Sequence, residues 1–306
     1  ISYHNYFDQV KLGVHDLEIG EIGFYYLNKL FPNFYIMIAV LSAVVLYVVY
    51  KLVINNLEIE EYPFALFVYI IDPYIFLMSL SMIRQYIAIV LFIIALQLAR
   101  RKKLFWYMLI CLLAASIHSS AIVLIPFYFV FNDKKDIFTK PILLISIVTG
   151  VFILSSTILI PIAEKLLYYF NDANYYYYFF SFEKNSLRAT ILSSVSLIYI
   201  CLNMNKLQGT KLAYSKLSIF APLCDVFAYK IAMLGRIGSY FSLFRLISLP
   251  SIFIVNYRES KGIDRVINVY LLPSLIFIIY VLRVYSFLKN PMWQSFTHYH
   301  TILDLL

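Results

Sequence analysis

Long apolar runs, each closed by charge or proline, dominate this 306-residue chain. They lie at about 32–54, 63–80, 83–99, 104–117, 121–131, 141–162, 187–204, 217–234, 237–255 and 266–282. Most approach the ~20 residues that a helix needs to cross a bilayer. Runs 104–117 and 121–131 fall short, so that pair is expected to tilt strongly or to form a re-entrant hairpin. The pattern predicts an all-α, polytopic integral membrane protein of one domain, with about ten transmembrane or re-entrant helices.

Composition excludes the main alternatives. The chain is 62% hydrophobic and 14% charged, against roughly 45–50% and about 25% in soluble domains. Disordered, fibrous and disulfide-framework classes fall away, since the three cysteines sit singly inside apolar runs. The net charge of +8 is read as topology rather than as affinity for nucleic acid. The chain opens at Ile1 after no signal peptide, and an upstream segment is expected to have preceded it.

Arg100, Arg101, Lys102 and Lys103 form the densest basic cluster, and placing it in the cytoplasm fixes every other loop by alternation. Inner loops then hold fourteen Lys and Arg and outer regions ten. The longest outer stretches are an N-terminal polar segment, 1–31, a Tyr-rich loop, 163–186, and an aromatic tail, 284–306, the other outer arginines and lysines standing at helix ends. All five histidines fall on this outer side, His4, His15, His118, His298 and His300, together with isolated arginines. Any site chemistry is therefore expected to face outward.

Four local patterns carry a resemblance. Glu21-Ile22-Gly23-Phe24 with Asn28 follows a lead containing Tyr3, Tyr6 and Asp8, and Ile83-Arg84-Gln85-Tyr86 opens a helix. His118-Ser119-Ser120-Ala121 comes next, then Arg236 with Tyr240-Phe241 ahead of Leu249-Pro250. In this order the sequence resembles the EpsG-type family of bacterial exopolysaccharide polymerases, relatives in function of the Wzy O-antigen polymerases. The resemblance runs from Tyr3 to the region of Trp293; the family usually carries one further N-terminal membrane helix.

The resemblance implies a glycosyltransferase that moves a glycan from a polyprenyl diphosphate to a sugar hydroxyl of the next lipid-linked repeat unit, on the outer face of the cytoplasmic membrane. It implies a flippase and a chain-length regulator as partners, and no cofactor. Such a reaction needs cations beside the diphosphate and a base beside the hydroxyl. Arg84, with Gln85, and Arg236, with Tyr240 a helical turn along, are the candidate substrate-binding residues. Arginine's fixed fork suits diphosphate oxygens, although snorkelling to headgroups is the alternative for both. His118 is the candidate base or positioning group, because imidazole exchanges a proton near neutral pH and could activate the acceptor hydroxyl or hydrogen-bond the diphosphate; capping of a helix end is its alternative. Glu21 is the second candidate base, with Asp8, Asp16 and Glu18 nearby in sequence.

Three further features are structural in the first instance. Asp225 and Arg245 lie equally far from residue 235, where the chain turns, so a straight hairpin would pair them deep in the bilayer. A proton or substrate pathway is the alternative. Asp72-Pro73 is expected to break the second segment. Tyrosines in 175–180 suit an interfacial belt or sugar stacking. His298 and His300 lack further ligands at a metal-site spacing, so no metal is expected. A transporter of lipid-linked sugars or small anions and a membrane acyltransferase are the rival functions. A transporter would account for Asp225 and Arg245 but not for polar residues collected on one face.

Overall fold

The computed structural model describes residues 3–13, 21–155, 160–162, 165 and 186–289. Those residues form helices joined by short connections, with no strand among them. Two amphipathic helices, α1 (Tyr3–Leu12) and α2 (Ile22–Leu30), precede the first long one, α3 (Phe34–Ile54). Asn33 starts α3, its side-chain oxygen accepting hydrogen bonds from Tyr35 N at 2.8 Å and Ile36 N at 3.4 Å, which satisfies two of the orphan donors of a helix start.

The second apolar run is broken where the sequence predicts. Helix α4 (Tyr62–Ile71) ends at Asp72 and α5 (Phe76–Ser81) follows. Pro73 supplies no amide hydrogen, and Asp72 Oδ1 accepts from Tyr74 N at 3.1 Å. The carbonyls released by the break belong to Tyr74 and Ile75, and the Tyr86 hydroxyl is placed to donate to them, at 2.7 and 2.6 Å. Tyr86 lies in α6 (Ile83–Arg100), an 18-residue helix capable of spanning a membrane.

Helix α6 turns back through the basic cluster, with Lys102 at φ 56°, into α7 (Leu104–Ile117). The chain then breaks at His118, runs as a 3-10 turn over Ser119–Leu124 and ends in the single-turn α8 (Phe127–Val130). The Tyr107 hydroxyl donates across this hairpin to Leu124 O at 2.6 Å. The predicted fourth and fifth segments are therefore one 14-residue helix followed by an irregular return.

After α9 (Pro141–Leu154) come α10 (Leu187–Asn203), α11 (Gly209–Ser218), α12 (Phe220–Phe227), α13 (Met233–Ser242), α14 (Arg245–Glu259) and α15 (Gly262–Lys289), the last π-wound over Val266–Leu271. Helix α14 is the centre of the bundle: Arg245 through Ile252 are all buried, against α4, α10, α11 and α15. An aromatic cluster ties α6, α8, α12 and α13 together, with Phe127 4.5 Å from Phe241 and 4.8 Å from Phe220 between ring centroids.

Among the described residues, four helices are long and apolar enough to span a membrane, or five if the bent pair α13–α14 counts as one span. Among the described residues, three interruptions account for much of the difference from ten segments. Apolar runs interrupted by Asp72-Pro73, by His118-Ser119-Ser120 and by the turn at 228–232 fold as short helices whose freed backbone groups find partners inside the protein. Irregular backbone at membrane depth is tolerated only when it is buried in that way.

Candidate functional site

The opening of α6, the end of α7 and the lead into α2 meet at one corner of the bundle. Glu21 stands immediately before α2, its backbone carbonyl accepting from Phe24 N at 3.0 Å and Tyr25 N at 3.2 Å, while its side chain makes no capping bond. Its carboxylate reaches outward to two partners: Oε1 lies 3.1 Å from His118 Nδ1, and Oε2 pairs with Arg84 Nη1. The carboxylate is 13% exposed, the His118 ring 26% and the Arg84 side chain 33%.

Gly23 makes this meeting possible. A Cβ at Gly23 would overlap the Ser116 hydroxyl and lie 3.0 Å from its carbonyl oxygen. Only a glycine lets α2 lie this close to the last turn of α7, two residues before His118. The Glu-x-Gly pattern thus has a packing meaning, in that glycine brings the helices together and glutamate uses the contact. Arg84 is seated in turn between aromatic rings, its guanidinium carbon 5.6 Å from the Tyr3 ring centre and 5.5 Å from that of Phe24, a favourable arrangement for a cation.

Helix α13 closes the site from the other side. The Tyr240 ring stacks near His118, with centroids 6.4 Å apart and planes 27° apart. Its hydroxyl shares a 2.9 Å hydrogen bond with Ser120. Gly238, two residues earlier, lies so close to α12 that a Cβ there would be 2.9 Å from the Cys224 Cβ. Gln85 is buried, and its amide nitrogen donates to Arg236 O at 2.9 Å and to Ser239 Oγ. It therefore faces the α13 backbone rather than a cavity. The Arg236 side chain is exposed.

Of the six site residues singled out in the sequence, Glu21, Arg84, His118 and Tyr240 meet through their side chains, while Gln85 reaches Arg236 through that residue's backbone carbonyl. Ser239 and Ser116 join them without having been foreseen. A serine in an apolar helix carries no signal of its own, and these two stand out only through what Gln85 and Gly23 do. Asp8 lies apart, beside His4 at 3.4 Å. His15, Asp16, Glu18, the Tyr-rich loop, Trp293, His298 and His300 lie outside the described residues. Among the described residues no group of three or more His, Cys, Asp or Glu is placed to hold a metal.

Electrostatics at this corner centre on Glu21. Burial pushes its carboxyl upward and is the largest single influence, but the hydrogen bonds and charges of His118 and Arg84 combined outweigh it, and the group ends below its ordinary value of 4.5. A carboxylate held ionised is a poor base and a good orienting group. With Nδ1–H directed at Glu21, the other ring nitrogen of His118, Nε2, is the one left to accept a proton.

The expected pairing of Asp225 with Arg245 is not what forms. Arg245 Nη2 lies 2.7 Å from Asp72 Oδ2, and Asp225 Oδ2 lies 3.3 Å from Arg283 Nη2 with Ser193 beside both. A straight helix from the turn to Arg245 would have paired the two, whereas α13 ends at Ser242 and α14 departs at 61°. The bend turns Arg245 away from α12 and toward the break at Asp72.

A family model described as EpsG family matches residues 1–301. The chain belongs to the EpsG family. It is thus a membrane protein of a Wzy-like polysaccharide polymerase family. No curated protein and no solved structure matches it. Membership of the EpsG family covers nearly the whole chain, so the convergence of Glu21, Arg84, His118 and Tyr240 is a property of one continuous polymerase-type bundle.

Proposed function

We propose that this EpsG-family protein is a glycosyltransferase that polymerises exopolysaccharide, capsule or O-antigen repeats. It transfers a glycan from polyprenyl diphosphate to a hydroxyl of the next lipid-linked unit. The observation that carries the reading is the Glu21 carboxylate joining His118 to Arg84 at one end of the bundle. That end lies across α6, ~27 Å long at 1.5 Å per residue, from the Arg100–Lys103 cluster. By the positive-inside rule the site then faces outward from the bacterial cytoplasmic membrane.

In this mechanism His118 Nε2 takes the proton of the acceptor hydroxyl as its oxygen bonds to the anomeric carbon. The bond from that carbon to the diphosphate oxygen breaks, and the lipid diphosphate leaves with the electron pair. Glu21 holds the ring in the correct tautomer and stabilises the imidazolium that results. Arg84 and Arg236 neutralise the departing diphosphate. Gln85 fixes the backbone that carries Arg236, while Tyr240 and Ser120 shape the floor beneath the base. General-base assistance contributes about 10²–10⁴ in rate, and one well-placed donor to the leaving charge about 10²–10³. The Tyr-rich loop and the Trp293 region would cover the glycan, undecaprenyl diphosphate is the fitting carrier, and a flippase and a chain-length regulator would work beside the enzyme.

The test is reconstitution of the purified protein in nanodiscs with a lipid diphosphate-linked repeat unit, read as a glycan ladder. A ladder from wild type that collapses in Arg84→Ala supports the mechanism. No ladder in a validated assay, or an undiminished one from Arg84→Ala, overturns it.

A further inference from the structure

The geometry assigns Glu21 a second task, which rests on the reading of this corner as a diphosphate site. We infer that the Glu21 carboxylate is a built-in competitor for the substrate's diphosphate, occupying Arg84 in the empty site and surrendering it when the diphosphate arrives. Donor binding would then leave Glu21 with His118 alone.

Three observations support the exchange. First, the two carboxylate oxygens are divided between the partners, Oε1 to His118 and Oε2 to Arg84. Losing Arg84 therefore leaves the His118 contact intact. Second, Arg84 is a fixed seat and Glu21 is not. The guanidinium lies against Tyr3 and Phe24 at 5.6 and 5.5 Å, while Glu21 sits outside α2 at φ −135°, ψ 37°, with its side chain bound to no backbone amide of that helix. Third, a third of the Arg84 side chain is exposed, so an anion can approach it while the carboxylate is still in place. A diphosphate carries more charge and more acceptor oxygens than one carboxylate, and the planar fork of arginine favours it.

The consequence is a link between the two halves of the reaction. The groups facing His118 are Glu21 ahead of α2, Arg84 of α6 acting through Glu21, Tyr240 of α13 and Ser120 of its own loop, with Tyr3 of α1 behind Arg84. While Arg84 is bound, it draws the carboxylate's charge away from the imidazole. Once the diphosphate takes Arg84, the carboxylate is left to His118 alone. Donor binding would thus leave Glu21 free to orient the ring that faces the acceptor.

This assignment makes two observables move in opposite directions in one variant. Geranylgeranyl diphosphate serves as the probe, with binding to protein in nanodiscs measured by titration calorimetry beside the glycan-ladder assay. Glu21→Gln is expected to bind the probe about tenfold more tightly, within the usual range of coupling between two competing partners, while glycan transfer falls. Arg84→Ala is expected to bind it weakly, and Glu21→Gln combined with Arg84→Ala no better than Arg84→Ala alone. Glu21→Asp, whose shorter carboxylate reaches Arg84 poorly, should also tighten binding and gives a second route if Glu21→Gln is poorly folded. Unchanged or weakened binding in both Glu21 variants overturns the exchange even where a ladder forms. Tightened binding with no ladder from wild type supports the exchange and overturns the polymerase reading instead.

Discussion

Asp72 Oδ2 lies 2.7 Å from Arg245 Nη2, and each residue stands at a break in a membrane helix. Asp72 closes α4 ahead of Pro73, and Arg245 opens α14 after its 61° bend from α13. Both side chains are withdrawn from the surface, at 0% and 2% exposure. The pair therefore fastens two discontinuities to each other, and both discontinuities support the candidate site. The first is held from above by Tyr86, next to Gln85 and Arg84, and the second is the foot of the helix that carries Arg236 and Tyr240.

Breaking this pair from one side should be costly, because the remaining charge stays buried without its partner. Arg245→Ala or Asp72→Asn alone is expected to cost about 3–5 kcal/mol, whereas Asp72→Asn with Arg245→Gln should be distinctly milder than the sum. Thermal unfolding of the purified protein in detergent measures both. Additive losses would mean that the contact carries no coupling energy.

Gly23 offers a packing test that touches no charged group. A Cβ there meets the Ser116 hydroxyl and, at 3.0 Å, the Ser116 carbonyl oxygen. Gly23→Ala should therefore push α2 off α7, cost about 1–3 kcal/mol as an overpacked contact, and carry Glu21 away from His118. Adding Ser116→Ala removes the hydroxyl but not the backbone overlap, so a partial recovery of stability and of the glycan ladder is the expected outcome. Full recovery, or no loss at all from Gly23→Ala, would contradict the close approach.

Much of this corner was legible from the chain alone, because Glu-Ile-Gly-Phe, Arg-Gln, His-Ser-Ser and the Arg236–Tyr240 segment each stand out against apolar surroundings. What no local pattern reveals is the contact map: Glu21 reaches across 63 residues to Arg84 and 97 to His118. Sequence alone leaves this carboxylate as a base or an orienting group, and only the fold shows its two oxygens divided between Arg84 and His118. The deep charges show the opposite failure. Asp72-Pro73 marks a helix break and Arg245 a buried cation in the sequence itself, but their pairing depends on a bend after Ser242 that hydropathy does not register. The number of spans is hidden for a like reason, since apolar residues in short helices and in long spans are chemically alike.

His118 is expected to act on the chemical step. His118→Ala should lower kcat for glycan transfer by about 10²–10⁴ with little change in donor affinity, provided folding is intact by size-exclusion profile. A fall confined to KM would place His118 in binding alone.

The orientation is open to a direct test using the two ends of the bundle. In a chain with Cys111, Cys201 and Cys224 replaced by alanine, cysteines at Lys29 and at Arg101, both exposed, should react with an impermeant maleimide from opposite sides. Lys29→Cys should label in intact cells from outside and Arg101→Cys only after the membrane is opened. The same accessibility for both would remove the assignment of the site to the outer face.

The depressed carboxyl of Glu21 makes the corner sensitive to acid in a definite direction. Its folded-state value lies below the ordinary 4.5, so the unfolded chain binds a proton at a pH where the folded chain does not. By linkage, the stability this group contributes is fully present above 4.5 and is lost as pH falls through the depressed value. Thermal unfolding of wild type and Glu21→Gln from about pH 6 down to about pH 3 should therefore show a gap that closes only below 4.5. Subtracting the variant removes the titration common to both proteins. A gap that widens with acid would mean that Glu21 is protonated in the folded protein, and neither its orienting role nor its hold on Arg84 would survive that result.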